Sequence, residues 1–77
     1  MHELSITRNV VAICAEHAAG VRVTRVTLEI GKMTAVLPDS LRFCFDICAR
    51  GTTLEGAALE ILETAGQELK IKEMETA

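Results

Sequence analysis

The sequence predicts an α+β fold, a two-layer sandwich in which two helices cover a three-stranded mixed β-sheet. Apolar residues recur about every 3.6 positions in two segments and alternate with polar residues in three others. The order along the chain is helix, strand, helix, strand, strand, which is typical of the α+β class. With 77 residues, of which 49% are hydrophobic, the chain provides one domain (1–77) with a modest core.

The first predicted helix covers residues 4–19. Its apolar stripe is made of Ile6, Val10, Ile13, Cys14 and His17, widened by Leu4, Val11 and Ala18. Gly20 is suited to end the helix in a left-handed conformation. Because the helix begins this early, Met1 and His2 are expected to be extended and exposed.

The second predicted helix begins at Pro38 and Asp39, which are favoured in a first helical turn, and Gly51 ends it. The first predicted strand precedes this second helix and ends near Ile30. Within that strand Val26, Leu28 and Ile30 share a face. Val21 and Val23 have the opposite parity, so either a bulge lies near Arg25 or the first valines belong to a loop.

The last two predicted strands cover residues 58–63 and 68–75, with residues 64–67 joining them as a hairpin. The first and second strands are expected to be parallel, connected through the second helix, and the third to be antiparallel. In the third strand Leu69 and Ile71 should point inward, and Lys70 and Lys72 outward into solvent.

Composition excludes several functional classes. The net charge is −3, basic residues are scattered and only two aromatic residues are present, so we expect no nucleic-acid partner. The apolar runs are too short to span a bilayer and no leader pattern precedes them, so we expect no membrane partner and a cytoplasmic location. An odd number of cysteines inside helical patterns favours reduced thiols. No catalytic triad or phosphate-binding loop is visible, so we do not expect an enzyme.

The segment Met1-His2-Glu3 is the feature that packing does not explain. A histidine in second position can offer a metal its imidazole, its own amide nitrogen and the free α-amine of Met1. Ni²⁺ and Cu²⁺ accept such nitrogen sets, whereas Zn²⁺ prefers tetrahedral sites. A fourth donor could be the amide or the carboxylate of Glu3. Sequence physics alone also allows a histidine without function on a frayed terminus.

Other candidate ligands have simpler explanations. Cys44 and Cys48 are four residues apart on the second helix and could hold a soft metal, but they lie on its apolar face, where free cysteine commonly packs as a small hydrophobe. The same holds for Cys14. His17 is expected to be structural or to face solvent.

The chain resembles the HypA/HybF family, the nickel-delivery proteins of [NiFe]-hydrogenase maturation. The resemblance rests on Met1-His2-Glu3-Leu4-Ser5-Ile6, on residues 14–18 and 26–31, on Ser40-Leu41-Arg42-Phe43-Cys44-Phe45-Asp46 and on residues 68–75. It implies the same two-helix, three-strand nickel domain, with Met1, His2 and Glu3 as the Ni(II) site. Some relatives place an extra carboxylate near the position of Asp39, which is otherwise explained as a helix-start residue.

One element of the family pattern is missing. The family carries a zinc module with two Cys-x-x-Cys pairs between the second and the final strand. Here that interval is only residues 64–67, and the sequence contains no Cys-x-x-Cys. The resemblance therefore implies a single nickel-binding domain whose zinc module is deleted at 64–67, by engineering or in a natural relative, so zinc is not expected.

The function that the resemblance implies is a nickel-binding metallochaperone domain, which binds Ni(II) at its N-terminus for insertion into [NiFe]-hydrogenase. Its partners would be a HypB-type GTPase and the hydrogenase large-subunit precursor, with urease maturation proteins in some organisms. The alternative is a protein-interaction or dimerisation module with incidental metal binding. In that case a sheet edge or the first helix would dock a partner or a second copy of the chain.

Overall fold

A computed structural model gives the structure of residues 2–77, and the predicted order of elements is confirmed. The elements are α1 (Glu3–Ala18), β1 (Val23–Gly31), a 3₁₀ turn (Lys32–Thr34), α2 (Pro38–Ala49), β2 (Ala58–Thr64) and β3 (Leu69–Thr76). Among these residues no helix combines the length and apolarity that crossing a membrane requires.

The sheet has the strand order β2-β1-β3, with β1 parallel to β2 and antiparallel to β3. Both predicted orientations are confirmed. Both helices pack on the same face of this sheet. The core is formed mainly by apolar side chains of α1, β1 and α2: Ile6, Val10, Val11, Cys14, Ala18, Val23, Val26, Leu28, Ile30, Leu41, Phe45, Ala49, Leu54 and Ala57.

The predicted hairpin at residues 64–67 is wrong. β2 and β3 lie at opposite edges of the sheet, so the connection between them crosses the end of β1. The N–H of Gly31 donates to the carbonyl of Glu68 (2.7 Å), and the N–H of Met33 donates to the carbonyl of Gly66 (3.0 Å). The connection can pass this closely because residue 31 is glycine, since a Cβ there would lie 2.0 Å from the Gly66 oxygen.

β1 takes the central position because it carries the most buried apolar side chains of the three strands.

The valine parity left two alternatives, and each applies to one valine. A register shift between Val23 and Arg25 in the pairing with β3 shows the bulge, whereas Val21 precedes β1 in the loop. A second shift, between Thr27 and Leu28, leaves Lys72 as an extra residue on β3. The extra residue reverses the parity of β3. As a result Met74 joins Ile71 on the face that packs against the core.

The apolar stripe of α1 is narrower than its periodicity predicts. Ile13 is 48% exposed, and His17 also faces solvent. Thr7 is instead fully buried, and its hydroxyl donates to the carbonyl of Glu3 (3.0 Å). A polar residue fits there because the helix itself supplies the acceptor.

Candidate metal site

His2 is the N-cap residue of α1 and has extended backbone angles, φ −88° and ψ 136°. Its carbonyl accepts a hydrogen bond from the N–H of Ile6 (3.2 Å), which ties the residue to the first helical turn. Its side chain is exposed and makes no capping hydrogen bond. The imidazole is therefore accessible to a metal ion, as predicted. Met1, which would supply the amine, lies outside the described residues.

The main-chain nitrogens at this position are available for coordination. The first N–H groups of an α-helix have no carbonyl four residues earlier to bind, and Glu3 is the first residue of α1. Losing the amide proton of His2 or Glu3 to a metal would therefore break no main-chain hydrogen bond of the helix. The Glu3 N–H does interact with the carboxylate of its own side chain, which contributes to the lowered pKa of that carboxyl. The positive end of the helix dipole also favours the negative amide that would result.

The carboxylate of Glu3 is already engaged by the other helix. It accepts a hydrogen bond from the N–H of Leu37 (3.1 Å) and a longer one from the hydroxyl of Ser40 (3.5 Å). Leu37 is the N-cap position of α2, so Glu3 caps α2 from a distant part of the chain. The Leu37 N–H is the main reason why the pKa of the Glu3 carboxyl lies below its ordinary value.

The topology explains why both helix starts meet. α2 follows β1 through a short connection and precedes the parallel strand β2, so α2 begins at the end of the sheet where β1 finishes. The contact of Glu3 with Leu37 brings the start of α1 to the same end. Residues 64–67 cross this end too, above Gly31. The predicted nickel site and the predicted position of the missing module therefore share one end of the sandwich.

Asp39 lies in the first turn of α2, exposed and next to Ser40 in sequence. Within residues 2–77, however, no three side chains of His, Cys, Asp or Glu are grouped closely enough to hold a metal ion. A donor set of main-chain nitrogens and the imidazole of His2 needs no such cluster. That is the donor set predicted from Met1-His2-Glu3.

The cysteines are placed as packing residues. Cys14 is 2% exposed, and burial raises the pKa of its thiol. Cys48 packs against the core with its Sγ 3.5 Å from the Thr7 hydroxyl, and Cys44 is half-buried. All three are free thiols. The prediction of core packing is confirmed for Cys14 and Cys48, whereas half-buried Cys44 is not among the residues that pack against the core.

Comparison with known proteins decides the family. A family model described as hydrogenase/urease nickel incorporation, metallochaperone, hypA matches residues 1–69. The chain belongs to the HypA family. Among curated relatives, the hydrogenase maturation factor HypA of Nostoc punctiforme is 65% identical over 66 residues, which are 86% of this chain and 58% of that protein. HypA of Geobacter sp. (strain M21) is 56% identical over 61 residues, covering 79% of this chain and 56% of the relative.

This HypA-family chain thus spans under two thirds of the length of those relatives. Its fold is also found in the solution structure of the Ni metallochaperone HypA from Helicobacter pylori, with a TM-score of 0.71 at 19% identity. That likeness covers 100% of this chain and 94% of the other. The structural likeness therefore includes β3, whereas the sequence match to the family model ends at residue 69, where β3 begins.

The contact of the Glu3 carboxylate with Leu37 and Ser40 is the part of the site that sequence reasoning missed. An acidic residue in the first turn of a helix ordinarily stabilises its own helix. Nothing local in the sequence indicates that Glu3 instead caps a helix whose first residue follows 35 positions later. Only the topology, which places both helix starts at one end, brings these groups together.

Proposed function

We propose that this chain is a non-enzymatic, cytoplasmic nickel-carrying domain that binds Ni²⁺ at its N-terminus and releases it for insertion into [NiFe]-hydrogenase. The donors are the α-amine of Met1, the amide and imidazole nitrogens of His2, and the amide nitrogen of Glu3. The observation that carries the proposal is His2 itself, exposed and extended immediately before α1. The family description of nickel incorporation supports nickel as the cargo.

The chemistry of chelation favours this donor set. The Met1 amine and the His2 amide close a five-membered ring with the metal, and the His2 amide and imidazole close a six-membered one. The role of Glu3 is assigned to its amide because its carboxylate is committed to Leu37 and Ser40. A carboxylate that coordinated the metal would leave the Leu37 N–H without that acceptor.

Ring closure also limits where each donor can bind. The amine, the imidazole and the Glu3 amide would each share a chelate ring with the His2 amide. Because all of these donors come from three consecutive residues, the remaining coordination would be open to an exchangeable donor, such as water or a group from the receiving protein. An open position is what distinguishes sites that exchange ligands from closed structural sites.

Nickel titration of three forms tests the terminal site: the native chain, His2→Ala, and a chain with two residues added before Met1. Calorimetry in a weakly competing buffer is the readout. We expect the addition to abolish high-affinity binding, because it removes the free amine and leaves the core unchanged, and His2→Ala to do the same. Equal affinity in all three forms would refute the terminal site and return attention to Cys44 and Cys48.

A matched pair at residue 3 separates its amide from its carboxylate. Glu3→Ala removes the carboxylate and keeps the amide, whereas Glu3→Pro removes both. Proline is accepted at the first position of a helix, and the backbone of His2 is already in the extended region that a following proline requires. We expect Glu3→Ala to retain nickel affinity and Glu3→Pro to weaken it. Equal weakening in both variants would assign the donor to the carboxylate instead.

We further propose that residues 64–67 replace the zinc module of the family. This is supported by the absence of any Cys-x-x-Cys in the sequence and by the end of the family match at residue 69. Elemental analysis of the chain purified from zinc-supplemented medium should find less than stoichiometric zinc after dialysis. One tightly held zinc ion per chain would contradict the proposal.

The proposed recipients are a HypB-type GTPase and the hydrogenase large-subunit precursor. The location of His2 at the same end as residues 64–67 suggests that nickel binding and partner recognition use neighbouring surfaces. Transfer from the loaded chain to purified GTPase, followed with a nickel indicator, should be compared with transfer from free Ni²⁺ at equal concentration. Transfer no faster than from free nickel would limit the chain to binding.

A further inference from the structure

An apolar groove of about 480 Å³ runs between α1 and β3. Its apolar walls are Ile6, Val10, Ile13, Leu28, Leu69 and Ile71. A second, smaller depression continues it past Ile13 and Ile71 to Met74. Ile13 is a residue that periodicity places in the core, yet it is 48% exposed, and Leu69 is 36% exposed. Within residues 2–77, nothing covers this surface.

The groove opens at an edge of the sheet. β3 pairs with β1 on one side, and among residues 2–77 no strand pairs with its other side in the order β2-β1-β3. Because of the extra residue Lys72, the strand carries Ile71 and Met74 on its helix-covered face. The charged residues of β3 are all exposed on the other side: Lys70, Lys72, Glu73 and Glu75.

We propose that a second copy of this chain covers the groove, forming a two-fold dimer through antiparallel pairing of β3 with β3. If the two β3 strands overlap along their whole length, Leu69 of one strand faces Thr76 of the other. The residues that follow then pair in opposite order along the two strands. Lys70 then faces Glu75 of the second copy, and Lys72 faces Glu73. Lys70 and Glu75 already pair within the chain, with Glu29 and Arg25, so Lys72 and Glu73 are the charges that the second copy alone would neutralise. Ile71 faces Met74 on the helix side. Opposite charges and apolar pairs in cross-strand positions each stabilise antiparallel sheets.

The pattern selects this register over its neighbours. Sliding the strands by one position places Lys72 against Lys72 in one direction and Glu73 against Glu73 in the other, and like charges directly opposite each other destabilise pairing. Such a slip also places inward side chains opposite outward ones. In a regular strand Lys70 and Glu75 would point to opposite faces, because one has an even and the other an odd number. The bulge at Lys72 places both on the same face, so they can pair across the dimer in this register.

The helices fit the same arrangement. α1 contacts both β1 and β3, so its axis lies above the space between them. With neighbouring strands about 4.8 Å apart, the two α1 axes of the dimer would be about 10 Å apart, a separation at which helices pack directly. Ile13 of each copy would then lie over the seam between the two β3 strands. The groove and the strand edge therefore point to the same occupant.

Charge exchange at the centre of the strand tests the dimer. Lys72 and Glu73 form no ion pair within residues 2–77, so changing them breaks no internal salt bridge. Sedimentation equilibrium over a range of concentrations, with chelator and reductant present, measures the dimer dissociation constant without nickel or disulfide bridging. Lys32→Glu, on the 3₁₀ turn, is the control that matches the net charge of Lys72→Glu.

We expect Lys72→Glu and Glu73→Lys each to raise the dissociation constant at least about tenfold, because two attractive pairs become repulsive. The double variant should recover native affinity. An equimolar mixture of the two single variants should form a heterodimer. Circular dichroism checks that each variant is folded, and the mixture provides a test that does not depend on any one variant's stability.

Three results would overturn the proposal: a strict monomer at every concentration, a double variant no tighter than the single variants, or an equal effect of Lys32→Glu. None of these results bears on the terminal nickel site. Failure of the dimer and failure of the proposed function are therefore distinguishable.

Discussion

Substitution of Gly31 by alanine should be among the most damaging small changes in the chain, because of the connection that crosses above it. An ideal Cβ at residue 31 would lie 2.0 Å from the carbonyl oxygen of Gly66, 2.4 Å from its carbon and 2.8 Å from the nitrogen of Gln67. All three are main-chain atoms, which cannot swing away as a side chain can. The connection would have to lift from the end of β1.

Lifting the connection has a calculable cost. Overpacking a closely packed site destabilises by about 1–3 kcal/mol. The hydrogen bonds Gly31 N–H to Glu68 and Met33 N–H to Gly66 would be weakened as well, at about 1 kcal/mol each. If both hydrogen bonds are lost, we expect a loss of about 3–5 kcal/mol in the free energy of unfolding. At about 4–8 °C per kcal/mol for a domain of this size, that lowers the melting temperature by roughly 12–40 °C.

Urea denaturation followed by circular dichroism measures this loss, and Gly66→Ala is the matched control. A Cβ at residue 66 would meet only the carboxylate end of Glu68, at 2.8 Å from its nearest oxygen, and that side chain can move aside. We expect the control to cost much less than Gly31→Ala. If Gly31→Ala unfolds at the native urea concentration, the crossing connection is wrong and a conventional hairpin would have to be reconsidered.

Three further predictions concern the core, the helix junction and nickel binding. Phe45→Ala should cost about 3–5 kcal/mol of stability because Phe45 is completely buried, whereas Phe43→Ala should cost little because Phe43 is 67% exposed; thermal unfolding of both compares them. Glu3→Gln should be less stable than the native chain above the ordinary carboxyl pKa of 4.5. The hydrogen bonds lower the pKa of Glu3 in the folded state, so its stabilising effect is lost as pH falls through that lowered value, and the two urea midpoints should then converge; a constant gap would contradict the assigned cause. Nickel affinity should fall with pH, because the amine and the imidazole must lose protons to bind, and calorimetry between pH 8 and about pH 6 measures this; a flat profile would argue against these donors.

Much of the fold could be predicted because its helices and strands have regular hydrophobic periods. The strand orientations also followed, since a helical crossover requires a parallel pair. The strand order did not follow from local sequence. A four-residue connection is compatible both with a hairpin and with a crossing over one strand, and the choice depends on which strand lies at the centre of the sheet. β1 is that strand, but its pattern alone does not say where β3 will lie.

The site was predicted unevenly for a comparable reason. His2 could be proposed as a nickel ligand from the sequence because the donors of a terminal site belong to consecutive residues and need no tertiary contact. The binding of the Glu3 carboxylate to Leu37 depends on the meeting of two helix starts, which is a property of the topology. Ile13 was predicted to lie in the core but is 48% exposed. Hydrophobic periodicity shows which face of a helix is apolar, but it does not show whether the sheet is wide enough to cover that whole face.

The dimer and the nickel site make a joint prediction about stoichiometry. Ser5 and Ile6 line the groove beside Leu69 and Lys70, whereas His17 lies beside Met74, so α1 runs parallel to β3. In an antiparallel β3 pair the two α1 helices then run in opposite directions, which places the two His2 residues at opposite ends of the dimer. A helix of 16 residues is about 24 Å long, so one nickel ion cannot bridge both termini. Each dimer should bind two nickel ions with equal affinity, and saturating nickel should leave the dissociation constant of the dimer unchanged. Nickel that strengthens dimerisation at one ion per two chains would refute the β3 arrangement, because such a shared ion requires the two N-termini to meet.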